Sequence, residues 1–417
     1  MTDPVSPIPL FAGYGIELEY MIVDRDRLNV LPVTDEVLKN IAGEYTNAIE
    51  RDDLAWSNEL VLHVIELKTN GPATSLEKLP ALFLQDLGKI NSILDNKNGC
   101  LMPTAMHPWM DPWKETRLWP HETNEIYDAF DRIFDCRGHG WSNLQSMHVN
   151  LPFADDDEFS KLHAAIRILL PIMPALSASS PIMDGKLTGL MDTRLETYRR
   201  NAEKIPSITG LVIPEPVSSH QEYLDTILHP MYRDIAPHDP EKVLQDEWLN
   251  AHGAIARFDR NAIEIRVLDT QETPRADIAI AAMLISILKK LVAEEWSGHE
   301  EQNLLATDYL SDIFLETVRE GELATIRNRS YLDLFEFPDR RCQVQELWQY
   351  LLETVETGDS DLVPKLRETI RYIIYSGPLA RRIKLACGTT FSRATLEETY
   401  RQLCDCLVSD RLFQGLE

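Results

Sequence analysis

The first clear pattern is an alternation. In GIELEYMIVD, Gly15 to Asp24, the residues Ile16, Leu18, Tyr20 and Ile22 fall on one face of an extended strand. Glu17 and Glu19 fall on the other, followed by Met21 and Val23. The same period returns in QSMHVNLPF, where Met147, Val149 and Leu151 oppose Ser146, His148 and Asn150. It returns again in NAIEIRVLD, where Ile263, Ile265 and Val267 oppose Glu264 and Arg266. NELVLHVIELKTN is less regular. Glu66 lies between Ile65 and Leu67, and a straight strand would send Glu59, seven residues earlier, to the opposite face. Either Glu59 precedes the strand or a bulge re-aims it.

After about Asp269 the period changes to that of helices. ADIAIAAMLISILKKLVAEEW predicts a long helix, and its apolar run Ala279 to Leu288 is too short to span a bilayer and predicts burial. QVQELWQYLLETVETG puts Val344, Leu347, Tyr350, Leu351 and Val355 on one stripe, with Gly358 as its stop. LEETYRQLCDCLVSD reads the same way. No internal repeat or Pro/Gly/Ser linker divides the 417 residues. The expectation is one catalytic domain over 1–417, with a strand-rich site region over about 13–270 and a helical part over about 275–417.

Composition narrows the function. Lys and Arg number 41 against 67 Asp and Glu, a formal net charge of −26. That field argues against nucleic acid and anionic membranes as partners, though not against a nucleotide arriving with its own Mg²⁺. MTDPVSPIPLFAG has neither the basic start nor the long apolar run of a signal peptide, and six scattered cysteines suit a reducing cytoplasm. Cys404 and Cys406 form a C-x-C with no second pair nearby, and residues two apart do not share a helix face, so they make a poor metal site. An oligomer is compatible with the sequence, which reveals no interface.

The charged positions on the strands carry the candidate chemistry. Any one strand is explained by a solvated sheet face. Together they differ from one, because Lys is missing from the central positions and the carboxylates sit among residues that favour burial. Carboxylates crowded into a cleft are pushed toward protonation. Mg²⁺ or Mn²⁺ relieves this, taking oxygen ligands and leaving positions for phosphate. No G-x-x-x-x-G-K-[ST] and no G-x-G-x-x-G occurs, so a nucleotide site would be of another kind. His148 is either a ligand, which would favour Mn²⁺, or a structural hydrogen-bonder.

GIELEYMIVD, VIELKT, MPTAMHPW, MHVNLPF, LSASSPIMDG…DTR and AIEIRVLD, in ordered succession, resemble the glutamate–cysteine ligase superfamily, most of all its second type, the bacterial carboxylate–amine ligases. The resemblance covers about residues 13–290. It implies an α+β fold, a curved, mainly antiparallel half-barrel sheet packed by helices and related to glutamine synthetase. It also implies a reaction, in which ATP activates the side-chain carboxylate of glutamate or a glutamate-like acid as an acyl phosphate, and an amine displaces phosphate. The implied metal ligands are Glu17, Glu19, Glu66, His148 and Glu264, with Glu59 a further one in some members. Arg266 would neutralise the transferred phosphoryl group, and Arg194 of DTR would bind phosphate or a substrate carboxylate. Arg257 is a further binding candidate; for Arg194 and Arg257 the alternative is a surface ion pair. Asn150 stands where close relatives have a second histidine, and is suited to hydrogen-bonding substrate or phosphate. Lys68 either faces solvent or meets a substrate carboxylate. No motif is carried over for GHGWSNLQ. Two rival readings are a non-catalytic metal–nucleotide-binding protein and a kinase that stops at a phosphorylated product.

Overall fold

All the alternating stretches become strands of one sheet. The structure, a computed structural model, describes residues 7–122, 124–356 and 362–416. The strands are β1 (Gly15–Asp24), β2 (Ala48–Glu50), β3 (Leu54–Asn58), β4 (Val64–Thr69), β5 (Gly99–Met102), β6 (Ser146–Pro152), the two-residue β7 (Ile182–Met183) and β8 (Lys186–Leu187), β9 (Ala254–Arg257), β10 (Ala262–Asp269), and the two-residue β11 (Thr325–Ile326) and β12 (Cys342–Gln343). The main sheet runs β2-β3-β4-β1-β6-β10-β9, with β5 paired to the end of β1. Its pairings are antiparallel and it does not close. With its many helices this is the expected α+β architecture.

NELVLHVIELKTN is two strands and not one. β3 ends at Asn58 and β4 begins at Val64, so Glu59 lies in the connection of an antiparallel hairpin. No bulge is needed to turn it inward.

The two faces of β1 have different fates. Ile16, Leu18, Tyr20 and Ile22 enter the main buried cluster with Ile65, Leu67, Val149, Leu151, Ile263 and Ile265. The Pro274–Val292 helix packs into the same cluster, and every residue from Ala279 to Leu288 except Ser286 is fully buried. Beyond the glutamates, Met21 and Val23 meet Leu379, Ile383, Tyr400 and Leu403 of the helices Leu379–Cys387 and Arg393–Ser409. The tail therefore covers one half of the carboxylate-bearing face and leaves the other half uncovered by these two helices. The Val344–Glu356 helix buries Val344, Leu347, Leu351 and Val355 of the expected stripe, adds Trp348 and Leu352, and leaves Tyr350 half-buried; Gly358 lies outside the described residues. Among the described residues no helix is long and apolar enough to cross a membrane.

A buried polar link joins sheet to tail. Thr270 donates to the Glu19 carbonyl at 3.1 Å, and Gln271 donates to the carbonyls of Asp269 and Ser177. Glu272, fully buried, pairs with Arg382 and accepts the backbone N–H of Phe413.

Three histidines are locked inside this frame. His63 Nε2 bonds the Ser142 carbonyl at 2.8 Å, and His107 of MPTAMHPW bonds the Leu28 carbonyl at 2.7 Å. Burial pushes His63 down to about 4 and His107 to about 3. Burial, helped by Arg167, also pushes His163 down to about 3. From the ordinary value of 6.5 downward the unfolded chain takes up protons that the folded chain refuses. The stability they contribute is therefore complete above that value and drains as pH falls toward 4. Urea unfolding between those limits should show stability falling with acid, and His107→Gln, which keeps a donor for Leu28, should reduce the slope by about one proton. An unchanged slope would mean that His107 is protonated in the fold.

Candidate active site

Antiparallel register sets the acidic side chains face to face. Glu19 lies opposite Glu66 across β1 and β4, and Ser57 lies opposite Glu66 across β3 and β4. Glu17 is flanked by Lys68 on one side and His148 on the other. Glu264 lies opposite Asn150. Gly15 is also opposite Asn150, and a Cβ there would come within 2.8 Å of the Asn150 Cβ, so glycine makes room for the amide.

The resulting cluster has a clear chemistry. Donor atoms of Glu17, Glu66 and His148 lie within 4.8 Å of one another, and so do those of Glu19, Glu59 and Glu66. Glu66 belongs to both groups. His148 Nδ1 is 3.1 Å from Glu17 and 3.6 Å from Glu264, while Nε2 is 2.9 Å from Ser146 Oγ. Ser146 donates from N at 2.7 Å and from Oγ at 3.1 Å to Glu19. Asn150 donates to Glu17 at 3.0 Å, and Lys68 Nζ reaches Glu66 at 2.5 Å. Burial, reinforced by Glu17, raises Glu66 to about 7 despite Lys68 and Ser57. Burial and the charges of Glu19, Glu66 and Glu17 raise Glu59 well above the carboxylate range. Glu17 goes the other way: burial would raise it, but the hydrogen bond and charge of His148 prevail and lower it. For His148, burial opposes charge, yet Glu17, Glu264 and Glu19 hold its pKa up. An excess of buried carboxylate oxygens, with one imidazole, is a donor set that fits hard divalent cations.

A bulge in β10 brings a second group of residues to this face. Ile265 pairs with Val149 but Leu268 pairs with Met147, so Arg266 and Val267 together oppose His148. A straight strand would turn Asp269 away from Glu264; the bulge sets it opposite Ser146. Asp269, fully buried, accepts bonds from Ser179 N at 2.8 Å and Ser180 Oγ at 2.9 Å, and pairs with Arg194 at 3.4 Å. Arg194 also donates to the Arg266 carbonyl at 2.9 Å, and its Nε is buried without a partner. Arg194 is therefore a buried arginine beside the cluster and not a surface ion pair. Arg266 sits 3.1 Å from Glu264.

Two cavities flank the cluster. One, of about 470 Å³, is reached by Glu19, Glu59, His148, Arg194 and Arg266. The other, of about 530 Å³, is reached by Glu17, Lys68, Asn150 and Arg260. Arg257 reaches neither. It lies on the same face, but its guanidinium is given to Asp259 at 3.1 Å and comes only within 3.9 Å of Glu264. Sequence reasoning missed Asp269, Ser179 and Ser180, whose placement depends on the bulge. It also missed Tyr127, Trp141, Tyr198 and Trp248 in the first cavity. Trp141 belongs to GHGWSNLQ, for which no motif was carried over.

Removing Asp269 tests this arrangement. Asp269→Ala leaves Arg194 buried without its carboxylate, and should cost about 3–5 kcal/mol in denaturant unfolding. A loss under about 1 kcal/mol, the range of exposed pairs, would show that solvent reaches Arg194.

Comparisons with known proteins bear on the family and the fold. The family model described as Glutamate-cysteine ligase family 2 matches residues 14–321. A protein of Archaeoglobus fulgidus, described only as an uncharacterized protein, is 37% identical over 280 residues, covering 67% of this chain and 75% of its own. A protein of Sorangium cellulosum whose name is "Putative glutamate--cysteine ligase 2" is 24% identical over 413 residues, 96% of this chain and 99% of that one. The glutamate–cysteine ligase of Francisella tularensis, solved in complex with AMP, superposes with a TM-score of 0.58 at 13% identity, over 95% of this chain and 89% of that one. A bifunctional glutathione synthetase from Pasteurella multocida superposes with a TM-score of 0.61 at 14% identity, over 96% of this chain and 53% of that one. At such identities the two structures speak for the fold. By its ordered motifs and the family match over 308 residues (14–321), this chain belongs to the glutamate–cysteine ligase family 2.

Proposed function

We propose that the protein is an ATP-dependent carboxylate–amine ligase that joins the side-chain carboxylate of glutamate, or of a glutamate-like acid, to an amine and releases ADP and phosphate. The observation that carries this reading is the pair of carboxylate groups sharing Glu66, with a cavity on either side. One cavity suits the nucleotide and the other suits the acid and the amine. The names of the relatives and the AMP held by the Francisella tularensis enzyme support it. All six cysteines are free, in keeping with a cytoplasmic protein, and the whole chain is read as one catalytic unit.

Glu17, Glu66 and His148 would hold one cation, and Glu19, Glu59 and Glu66 a second, with Glu264 beside His148. Mg²⁺ or Mn²⁺, when bound, supplies positive charge that offsets these carboxylates and draws phosphate oxygens to them. Every other role falls to side chains. Lys68 and Asn150, at the second cavity, orient the nucleotide's phosphates. Arg266 lies where it can neutralise the transferred phosphoryl group, which passes from ATP to a carboxylate oxygen of the acid. Arg194 holds the acid's other carboxylate through its unpartnered edge. Arg257 supports Glu264 from the adjacent strand. The amine nitrogen then bonds the acyl carbon, the carbon–oxygen bond to phosphate breaks, and the nitrogen loses its proton. Catalysis on this reading is chiefly positioning and charge neutralisation.

Glu17→Ala and Glu264→Ala should each lower ATP turnover by more than about 10²-fold, with circular dichroism unchanged. Normal turnover in either would remove the site assignment. Arg266→Ala should lower kcat by about 10²–10³-fold with a smaller change in ATP affinity. A purely weaker affinity would contradict its phosphoryl-transfer role. The reaction itself is tested by ADP release from Mg-ATP and glutamate with and without amines, with the product identified by mass. ADP release that ignores the amine would favour a kinase.

A further inference from the structure

The cavity that holds Arg194 and Arg266 has two kinds of lining. Glu19, Glu59, His148 and the two arginines are its charged members. Phe130, Trp141 and Trp248 are an aromatic cluster on the same lining, and Tyr127 beside them has its pKa raised by burial and by the nearby charge of Glu59. The Phe130 ring lies 5.1 Å from Trp141 and 5.8 Å from Trp248, so these side chains form one continuous surface. Two neutral polar atoms on this lining, Trp141 Nε1 and Tyr198 Oη, are buried without a protein partner. Beyond His148 and the two arginines, the described lining contains no cation.

A count of charges then separates classes of acceptor; it rests on the ligase reading above. Arg266 serves the transferred phosphoryl group, and Arg194, already part-neutralised by Asp269, serves the acid's second carboxylate. An amino-acid acceptor would bring one more carboxylate, and against the Phe130, Trp141 and Trp248 rings that group would have no arginine left to pair it, while a cation held by Glu19, Glu59 and Glu66 would already face three carboxylates and the phosphate oxygens. Burial of an unpaired carboxylate against apolar surface is strongly disfavoured. An aromatic substituent meets the same wall favourably, by edge and offset ring packing and by removal of apolar area from water. An amine arriving as an ammonium ion is also drawn by a net charge of −26.

We propose that the acceptor is a primary arylalkylamine without a carboxylate, its ring against the Phe130–Trp141–Trp248 wall and its nitrogen toward the acid's activated carboxylate. In the step, the deprotonated nitrogen forms the bond to the acyl carbon. Phosphate leaves with the electron pair of the broken carbon–oxygen bond, and the nitrogen's second proton passes to solvent.

The test uses the full chain with Mg-ATP and saturating glutamate. Phenethylamine, tyramine, cysteine and glycine are compared by ADP release and amide mass. Phenethylamine binding is measured separately by calorimetry with a non-hydrolysable ATP analogue. The expected result is a kcat/KM for phenethylamine exceeding that for cysteine by roughly tenfold or more. Trp248→Ala should raise the phenethylamine KM roughly tenfold, and Trp248→Phe should restore most of it. Cysteine or glycine preferred by that factor overturns the proposal and leaves the ligase reading standing. No amide with any amine, joined to phenethylamine binding that Trp248→Ala abolishes, supports the pocket's preference and overturns the ligase reading. No calorimetric binding of phenethylamine overturns the proposal outright.

Discussion

The constraint on which this structure turns is the repulsion among carboxylates held in register on one face of a sheet. Glu17 and Glu19 can stay there because Ile16, Leu18, Tyr20 and Ile22 anchor the opposite face. A slip of one residue would exchange the two faces, burying the glutamates in the core and exposing the apolar row. Register is thus held by the hydrophobic side and exploited by the polar side. Each neighbour of the cluster offsets part of its charge: His148 against Glu17, Lys68 and Ser57 against Glu66, Ser146 against Glu19, Arg266 against Glu264. The compensation is incomplete at Glu66 and Glu59, whose pKa values remain raised. The remaining imbalance is what a divalent cation would remove.

The end of β10 links this electrostatic problem to the rest of the molecule. Its bulge swings Asp269 onto the charged face, where it orders Ser179, Ser180 and Arg194. Three residues later Glu272 binds Arg382 and the Phe413 backbone in the tail. One short segment therefore sets an arginine at the site and fastens the helices that cover the far half of β1. Both tasks need a buried carboxylate with a fully used hydrogen-bond shell, since an unpaired one would be costly.

The site is also asymmetric in polarity. The cavity on the Glu17 side meets a lysine and an amide, while the cavity on the Glu19 side has both charged and aromatic residues on its lining. On the proposed reading, the polyanionic nucleotide and the organic nucleophile would approach one carboxylate from these two sides. The aromatic wall comes from the neighbouring Asn124–Phe134 and His139–Ser142 helices and from the segment around Trp248, about a hundred residues further along the chain. Their convergence is a property of the packing.

Much was determined by the sequence alone. Strict alternation placed Glu17, Glu19, His148 and Glu264 on the polar sides of strands, because side-chain direction in a strand has a period of two and needs no knowledge of partners, while Glu66 stood in a less regular stretch. The helical tail was legible for the same kind of reason, in the 3.6-residue stripe of Val344–Glu356 and the apolar run within Pro274–Val292. Only the tertiary structure decided which carboxylates meet, since Glu19 faces Glu66 through a register that no single strand contains. It also decided that Glu59 enters through a hairpin connection, that one extra residue in β10 turns Asp269 inward, and that Arg257 is spent on Asp259. Local periodicity encodes the direction of a side chain; its partner is set by pairing between distant segments, where a single bulge reverses every later position.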